Sequence, residues 1–363
     1  MWIAKMFRRL CDPNEKVRSL RLLRAALRLP ALLYGVGVGA RNRAYDAEWL
    51  PCRRLPVPVI GVGGLTVGGA GKTPVVRYLS EMLTAQGFCP AILSRGYGRA
   101  GRHPMMVTPD TDWRNTGDEP TMLARALADT PVVVGADRYA AGLMAIRACG
   151  ANVLILDDGF QHRSLHRNAD IVAIDTTHWT GNEPLLPAGP LREPLSALRR
   201  AHAVMLTRTD QSLSVDAAHE TAQRHHPGIP VFETLYRPVR LCRLTDGETL
   251  SLDTLTGHPV VALSGIANPR SFETTLTALG AKVVNAARFP DHHPYTRRDM
   301  ASVRRRAAEN RATWIVVTAK DAIRIPRQDA TPDILILDIA LSVLSDDTEL
   351  KNFVLSFVLS AIP

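Results

Sequence analysis

Gly61-Val-Gly-Gly-Leu-Thr-Val-Gly-Gly-Ala-Gly-Lys-Thr-Pro74 decides how the rest of the chain is read. An apolar, strand-like run (Val57, Val59, Ile60, Val62) enters a glycine-rich turn that closes on Gly71-Lys72-Thr73. A helical pattern follows Pro74, with Val75, Val76, Leu79, Met82 and Leu83 on one face. Strand, glycine loop and helix N-terminus together form a phosphate cradle, because consecutive backbone N–H groups and the helix dipole face the anion. Gly68, Gly69 and Gly71 shape the loop, Lys72 reaches the terminal phosphates, and the Thr73 hydroxyl ligates Mg²⁺. Pro74 falls in the first helical turn, where a missing N–H costs little. The consensus loop has glycine where this chain has Thr66, and the neighbouring glycines compensate.

Alternation continues outward from the loop. Short Val/Ile/Leu-rich runs at 57–63, 90–94, 131–135, 152–157, 170–175 and 202–207 read as parallel strands buried on both faces. Helical patterns at 75–86, 119–128 and 138–149 lie between them. The expectation is an α/β fold of P-loop NTPase type, a doubly wound and mostly parallel sheet. Extended segments around 227–245 lead to a second, smaller α/β lobe with strands near 259–264, 281–285, 314–318 and 333–338. The expected parts are an N-terminal segment 1–54, a core 55–230, and a C-terminal domain 231–363 that closes over the cleft.

Composition narrows the function. The 363 residues carry a formal charge of +9. Residues 1–54 hold +8 of it, which leaves the remainder near neutral. A basic surface for nucleic acid is therefore not expected. The five cysteines are scattered without a C-x-x-C pair, so neither a disulfide framework nor a zinc knuckle is indicated. Within the basic segment Val17, Leu20, Leu23 and Leu27 recur at helical spacing. The uncharged run Leu29–Ala40 is twelve residues, too short for a spanning helix of about 20. An Arg-rich face beside a Leu face predicts a helix lying in a membrane interface rather than crossing it. The other reading is a helix packed on the protein.

Further motifs carry chemistry. Asn152-Val-Leu-Ile-Leu-Asp157-Asp158 is a buried strand ending in two carboxylates, where open α/β sheets place ligands. Adjacent buried acids need a cation, and Mg²⁺ beside the phosphate loop supplies one. Gly159-Phe-Gln-His162 carries polar groups toward the same crevice; His162 and His166 at i,i+4 lack the glutamate of a zinc-protease helix. Asp118-Glu119-Pro120 opens a helix, so Asp118 reads equally as a dipole-facing cap or as a carboxylate acting on a hydroxyl. Ser94-Arg-Gly-Tyr-Gly-Arg99 and Asp137-Arg138 each follow a strand. Phe289-Pro-Asp291-His292-His293 precedes a helix that Thr296 can cap.

In this order the motifs resemble the lipid A 4′-kinase family (tetraacyldisaccharide 4′-kinase), from about residue 15 to about residue 340. The marks are the glycine loop at 63–74, Ser-Arg-Gly-Tyr-Gly-Arg at 94–99, Gly-Asp-Glu-Pro at 117–120 and Asp-Asp-Gly-Phe-Gln-His at 157–162. Pro-Ala-Gly-Pro-Leu-Arg-Glu at 187–193, Phe-Pro-Asp-His-His at 289–293 and Thr-Ala-Lys-Asp-Ala at 318–322 complete the set. The resemblance implies an ATP- and Mg²⁺-dependent kinase at the cytoplasmic face of a Gram-negative inner membrane. Its acceptor would be the 4′-hydroxyl of an acylated glucosamine disaccharide 1-phosphate, and no obligate protein partner is implied. By the same resemblance Lys72 and Thr73 serve phosphate and Mg²⁺, and Asp157 and Asp158 serve the metal. Asp118 acts on the hydroxyl with support from His292, which the motif places beside His293. Arg138 and His162 line the nucleotide or catalytic cleft. A partition-type ATPase would have Lys where Val67 stands, and a GTP-binding protein would space Thr318-Ala-Lys320-Asp321 differently.

Overall fold

The structure, a computed structural model, describes residues 23, 25–97, 99, 101, 103–212, 214–344 and 347–361. Strand β1 (Val59–Gly64) is buried along its whole length. It lies between β5 (Val153–Asp157) and β6 (Ala169–Asp175), both parallel to it. Outward from β5 come β2 (Pro90–Ser94), β4 (Val132–Val134) and an antiparallel edge strand β3 (Met105–Val107). Outward from β6 lies β7 (Ala203–Thr207), again parallel. The doubly wound, mostly parallel sheet expected from the sequence is therefore present. The three-residue edge strand β3 was not expected.

The second set of strands joins the same sheet. β8 (Val231–Arg243) begins parallel to β7 and then runs antiparallel to β13 (Ile334–Val343). β12 (Trp314–Thr318), β10 (Pro259–Ser264) and β11 (Lys282–Arg288) follow in parallel, and the two-residue β9 (Thr249–Leu250) pairs with β8. One thirteen-stranded sheet thus connects both sets, with β8 shared between them and β9 off the main path.

Helices cover both faces and bury the apolar periodicity noted above. α1 (Arg28–Asp46) precedes the sheet. α2 (Lys72–Ala85) leaves the glycine loop and buries Val75, Val76, Leu79, Met82 and Leu83 against β1, β2 and β5. α3 (Trp113–Thr116) and α4 (Asp118–Ala126) follow β3. α5 (Arg138–Cys149) follows β4 and packs Ala141 and Ala145 on the opposite face. α6 (Val215–His225), α7 (Pro269–Ala278), α8 (Arg297–Glu309), the four-residue α9 (Ala319–Ala322) and α10 (Asp347–Ser360) complete the set.

Two glycines are required where β1 meets the loop. A Cβ on Gly63 would collide with the buried Phe160. Gly71 has φ +83°, and a side chain there would strike Tyr236 and Thr207. Only glycine meets both conditions at the start of α2.

Candidate active site

The loop after β1, the end of β5 and the start of α4 converge on one edge of the sheet. β1 and β5 run in register, Val62 opposite Asp157. That register carries the two carboxylates to the level of the glycine loop. Lys72 Nζ reaches Asp158 Oδ1 at 2.8 Å. Arg192 Nη1 approaches both Asp158 oxygens, at 2.9 and 2.8 Å. Burial pushes the Asp158 carboxyl up, but the Lys72 and Arg192 charges outweigh it and hold the group down at about 2. Asp158 also has a left-handed φ of +53°, which turns its side chain away from the strand direction of Asp157.

Asp157 has the opposite environment. It is 2% exposed, and Ser94 Oγ donates to its Oδ2 at 3.2 Å. Its Oδ1 is buried without a partner among the described residues. Burial, with Glu119 and Asp158 nearby, drives this carboxyl above its ordinary range. Arg138, at the first turn of α5, is buried and donates Nη1 to the carbonyls of Gly135 and Ala136 at 2.9 and 3.1 Å. Its pKa falls to about 10 because it is buried and faces Arg95, although Asp157 and Asp158 oppose the fall.

His162 lies beyond Asp158, with Nε2 3.2 Å from Ser164 Oγ. Burial, then Arg138 and Arg167, lower it to about 4, so it is neutral at pH 7. Among the described residues no group of three or more His, Cys, Asp or Glu is disposed as a metal cage. Phosphate-loop magnesium needs only a hydroxyl and a carboxylate, since the nucleotide supplies further oxygens. The orphaned oxygen of Asp157 and the half-buried Thr73 fit that requirement. Gly68 and Gly69 are exposed at the loop crown and Gly71 is buried at its base.

A second constellation faces this one. Asp118 is the first residue of α4, and its Oδ1 accepts from the Glu119 N–H at 2.9 Å. The same carboxylate meets His292 Nδ1 at 3.0 and 2.8 Å, across 174 positions of sequence. The N-cap expected of Asp118 is instead Gly117, with no side-chain cap bond; Asp118 and Glu119 lie in the first turn, at the positive end of the helix dipole. His292 has φ +59° and donates its own N–H to the Gly265 carbonyl at 3.2 Å. His293 turns elsewhere: it meets Asp299 at 3.0 Å and stacks on Phe289.

Lys320 ties the constellation together. Its ammonium reaches Glu119 at 2.8 Å, Asp291 at 3.2 Å and His292 Nε2 at 3.3 Å. An ammonium only donates, so Nε2 accepts and Nδ1 carries the proton given to Asp118. Burial raises the Asp118 carboxyl, but the His292 hydrogen bond and the Lys320 and Arg324 charges prevail and hold it at about 2. Burial lowers His292, as does Lys320, but its hydrogen bond to Asp118 and the Asp291 and Asp118 charges together raise it. Sequence reading assigned no role to Arg192, Lys320 or Ser94. Their motifs, at 187–193, 318–322 and 94–99, were the available signal.

α1 lies beside the same edge. Tyr34 Oη donates to the Arg192 carbonyl at 2.8 Å, Asn42 to Glu193 at 2.7 Å, and Arg41 to the Gln161 carbonyl at 2.6 Å. Its other side is bare: Leu29, Leu32, Leu33 and Val36 are 66–70% exposed at i, i+3, i+4, i+7 spacing. Leu27, expected on the membrane face, is half-buried, as is Leu23; Val17 and Leu20 lie outside the described residues. Among the described residues no helix is long and apolar enough to cross a membrane.

Residues 23–359 match the model of the tetraacyldisaccharide-1-P 4′-kinase family. The tetraacyldisaccharide 4′-kinase of Syntrophus aciditrophicus is 42% identical over 81% of this chain and 82% of its own. That of Geobacter sulfurreducens is 39% identical over 88% and 89%. The solved LpxK of Aquifex aeolicus, in complex with ATP, superposes with a TM-score of 0.73 at 32% identity. That match covers 93% of this chain and 99% of the other.

Proposed function

The chain belongs to the tetraacyldisaccharide-1-P 4′-kinase family, and on that premise we infer how its residues divide the work. It is an ATP-dependent kinase of lipid A biosynthesis, transferring the γ-phosphate of ATP to the 4′-hydroxyl of a tetraacyl glucosamine disaccharide 1-phosphate. The observation that carries the division of labour is the pairing of Asp118 with His292 opposite the Lys72 loop.

The glycine loop (Gly68, Gly69, Gly71) and Lys72 hold the β- and γ-phosphates. Thr73, with Asp157 and Asp158, would hold Mg²⁺, which when bound neutralises charge on the β- and γ-phosphate oxygens. Arg138 and His162 border the nucleotide, with His162 as a neutral group. Asp118 orients the 4′-hydroxyl and takes its proton as the oxygen bonds to the γ-phosphorus and the bond from that phosphorus to the β–γ bridging oxygen breaks. His292, donating from Nδ1, fixes the carboxylate; Lys320 fixes His292 from its other side. Such transfer asks chiefly for positioning and charge stabilisation.

The proposed parts are a segment 1–54, a core 55–230 and a C-terminal domain 231–363 that closes over the cleft. β8 belongs to both strand sets, so rotation about it moves His292 and Lys320 relative to the loop and excludes water from ATP. The bare stripe of α1 supports a peripheral position on the cytoplasmic face of the bacterial inner membrane, against anionic lipids. Incubation with ATP, Mg²⁺ and a tetraacyl disaccharide 1-phosphate, followed by mass analysis for one added phosphate, tests the whole reading. No gain in mass with the folded protein would overturn it.

A further inference from the structure

Arg324 is 1% exposed, and its guanidinium lies behind the Asp118–His292 pair. A buried cation is costly unless fully paired. Nη2 donates to Asp321 at 2.6 Å and to the Gly265 carbonyl at 2.9 Å. Nε donates to the Lys320 carbonyl at 3.3 Å and lies 3.6 Å from Asp118 Oδ2. Nη1 has no partner among the described residues.

Two of these contacts bear on the pair. Asp118 Oδ2 is the oxygen that His292 Nδ1 meets at 2.8 Å. The Gly265 carbonyl at 3.2 Å shares with Asp291 Oδ1 at 3.0 Å the backbone N–H of His292, a residue held in left-handed φ. A non-glycine residue keeps that conformation only where its surroundings over-determine it. Asp321 braces the arrangement, accepting from the Gly265 N–H at 2.8 Å and from Tyr295 Oη at 2.7 Å. One guanidinium therefore holds the carboxylate of one member and the backbone anchor of the other.

We propose that Arg324 is a positioning residue for phosphoryl transfer, fixing where Asp118 and His292 meet from a place that touches neither nucleotide nor lipid. The proposal rests on the reading of Asp118 and His292 as the pair acting on the hydroxyl. The charged groups facing Asp118 are His292, Lys320 and Arg324, with Glu119 beside it and Asp291 and Asp321 beyond. Removing one of the cations raises the pair's apparent acid-side pKa, because the carboxylate loses an attractive neighbour and the imidazolium a repulsive one.

The test uses the full chain with ATP, Mg²⁺ and tetraacyl disaccharide 1-phosphate, over about pH 5 to 9. Arg324→Gln is expected to lower kcat ~10–100-fold while the KM for ATP stays within ~3-fold. The acid limb of the kcat profile should move to higher pH. Arg324→Lys, which keeps the charge, should leave that limb near its wild-type position. A folded Gln variant with wild-type kcat and an unmoved limb would overturn the proposal. If the Gln variant does not fold, the Lys variant decides: lowered kcat with the limb in place supports the role, and wild-type kcat overturns it. Asp118→Asn runs alongside. Full activity of that variant means the pair itself was misread; an inactive Asp118→Asn beside an unaffected Arg324→Gln means only this inference fails.

Discussion

Lys72 Nζ sits 2.8 Å from Asp158 Oδ1, so the lysine proposed to meet phosphate is held by a carboxylate that Arg192 also grips. The pairing ties Lys72 to the proposed metal ligand. Lys72→Ala removes the charge that meets the terminal phosphates. The expected loss in kcat is ~10²-fold or more, the scale of losing one preorganised electrostatic group. Steady-state kinetics at saturating ATP checks this, and activity within a few-fold of wild type contradicts it.

Asp157 separates activity from stability. Its carboxylate is buried, faces Glu119 and Asp158, and leaves one oxygen unpartnered. Asparagine removes the cost of burying a charge beside like charges. Asp157→Asn should therefore melt at the same or a higher temperature than wild type while turning over more slowly. Asp158→Asn should also lose activity, and excess Mg²⁺ should partly rescue the milder of the two variants. Wild-type turnover and Mg²⁺ dependence in both would make the pair structural only.

Asp118 and His292 lie 174 residues apart and act as one unit in this reading. Their losses should be non-additive: Asp118→Asn with His292→Asn should be little worse than the poorer single variant. A double-mutant cycle in kcat measures the coupling. Independent, additive losses argue against a dyad.

Local pattern made the frame legible, and long-range contacts made the rest illegible. β1, β5, β6 and β7 are buried on both faces, so each shows as an apolar run. β3 is three residues with one side half-exposed, too short for any period. β8 read only as extended, because its two main partners, β7 and β13, lie far from each other in sequence, and β9 is only two residues. Lys72 and Asp158 announce themselves in local motifs. Arg192 reaches Asp158 over 34 positions and Lys320 reaches Glu119 over 201, so their roles exist only after folding. Arg324 follows its motif by two residues and carries no sequence signal of its own.

Two buried groups pull the pH dependence of stability in opposite directions. His162 titrates near 4 in the fold against an ordinary value of 6.5. As pH falls through that window the unfolded chain binds a proton that the folded chain does not, so this contribution declines. Asp157, raised to about 7, takes up its proton in the fold before the unfolded chain does, so its contribution rises as pH falls toward 3.8. Asp118 and Asp158, held at about 2, contribute stability present above 3.8 and lost as pH falls from there toward 2. Melting temperature against pH should thus fall in acid below 3.8, while His162 and Asp157 offset each other above it. His162→Asn should remove the His162 share of the slope above 3.8 and leave the acid fall unchanged. An unchanged slope in the variant between the two His162 values would remove His162 as the cause.

The α1 helix should decide location rather than chemistry. Leu29, Leu32, Leu33 and Val36 form a bare stripe, while Tyr34, Arg41 and Asn42 face the loops beside Asp158. Arg28, Arg41 and Arg43 are exposed on the same helix. The basic N-terminal segment predicts binding to anionic vesicles that weakens with salt. Apolar burial is not screened, so part of the binding should resist salt. Replacing Leu29, Leu32, Leu33 and Val36 with Ser should release the protein from vesicles in a flotation assay. ATP binding should persist, because none of the four is buried against the protein. Turnover of a short-chain, water-soluble acceptor should survive the change better than turnover of the full lipid. Loss of ATP binding or of folding in the Ser variant would mean that the stripe packs on the protein rather than on lipid.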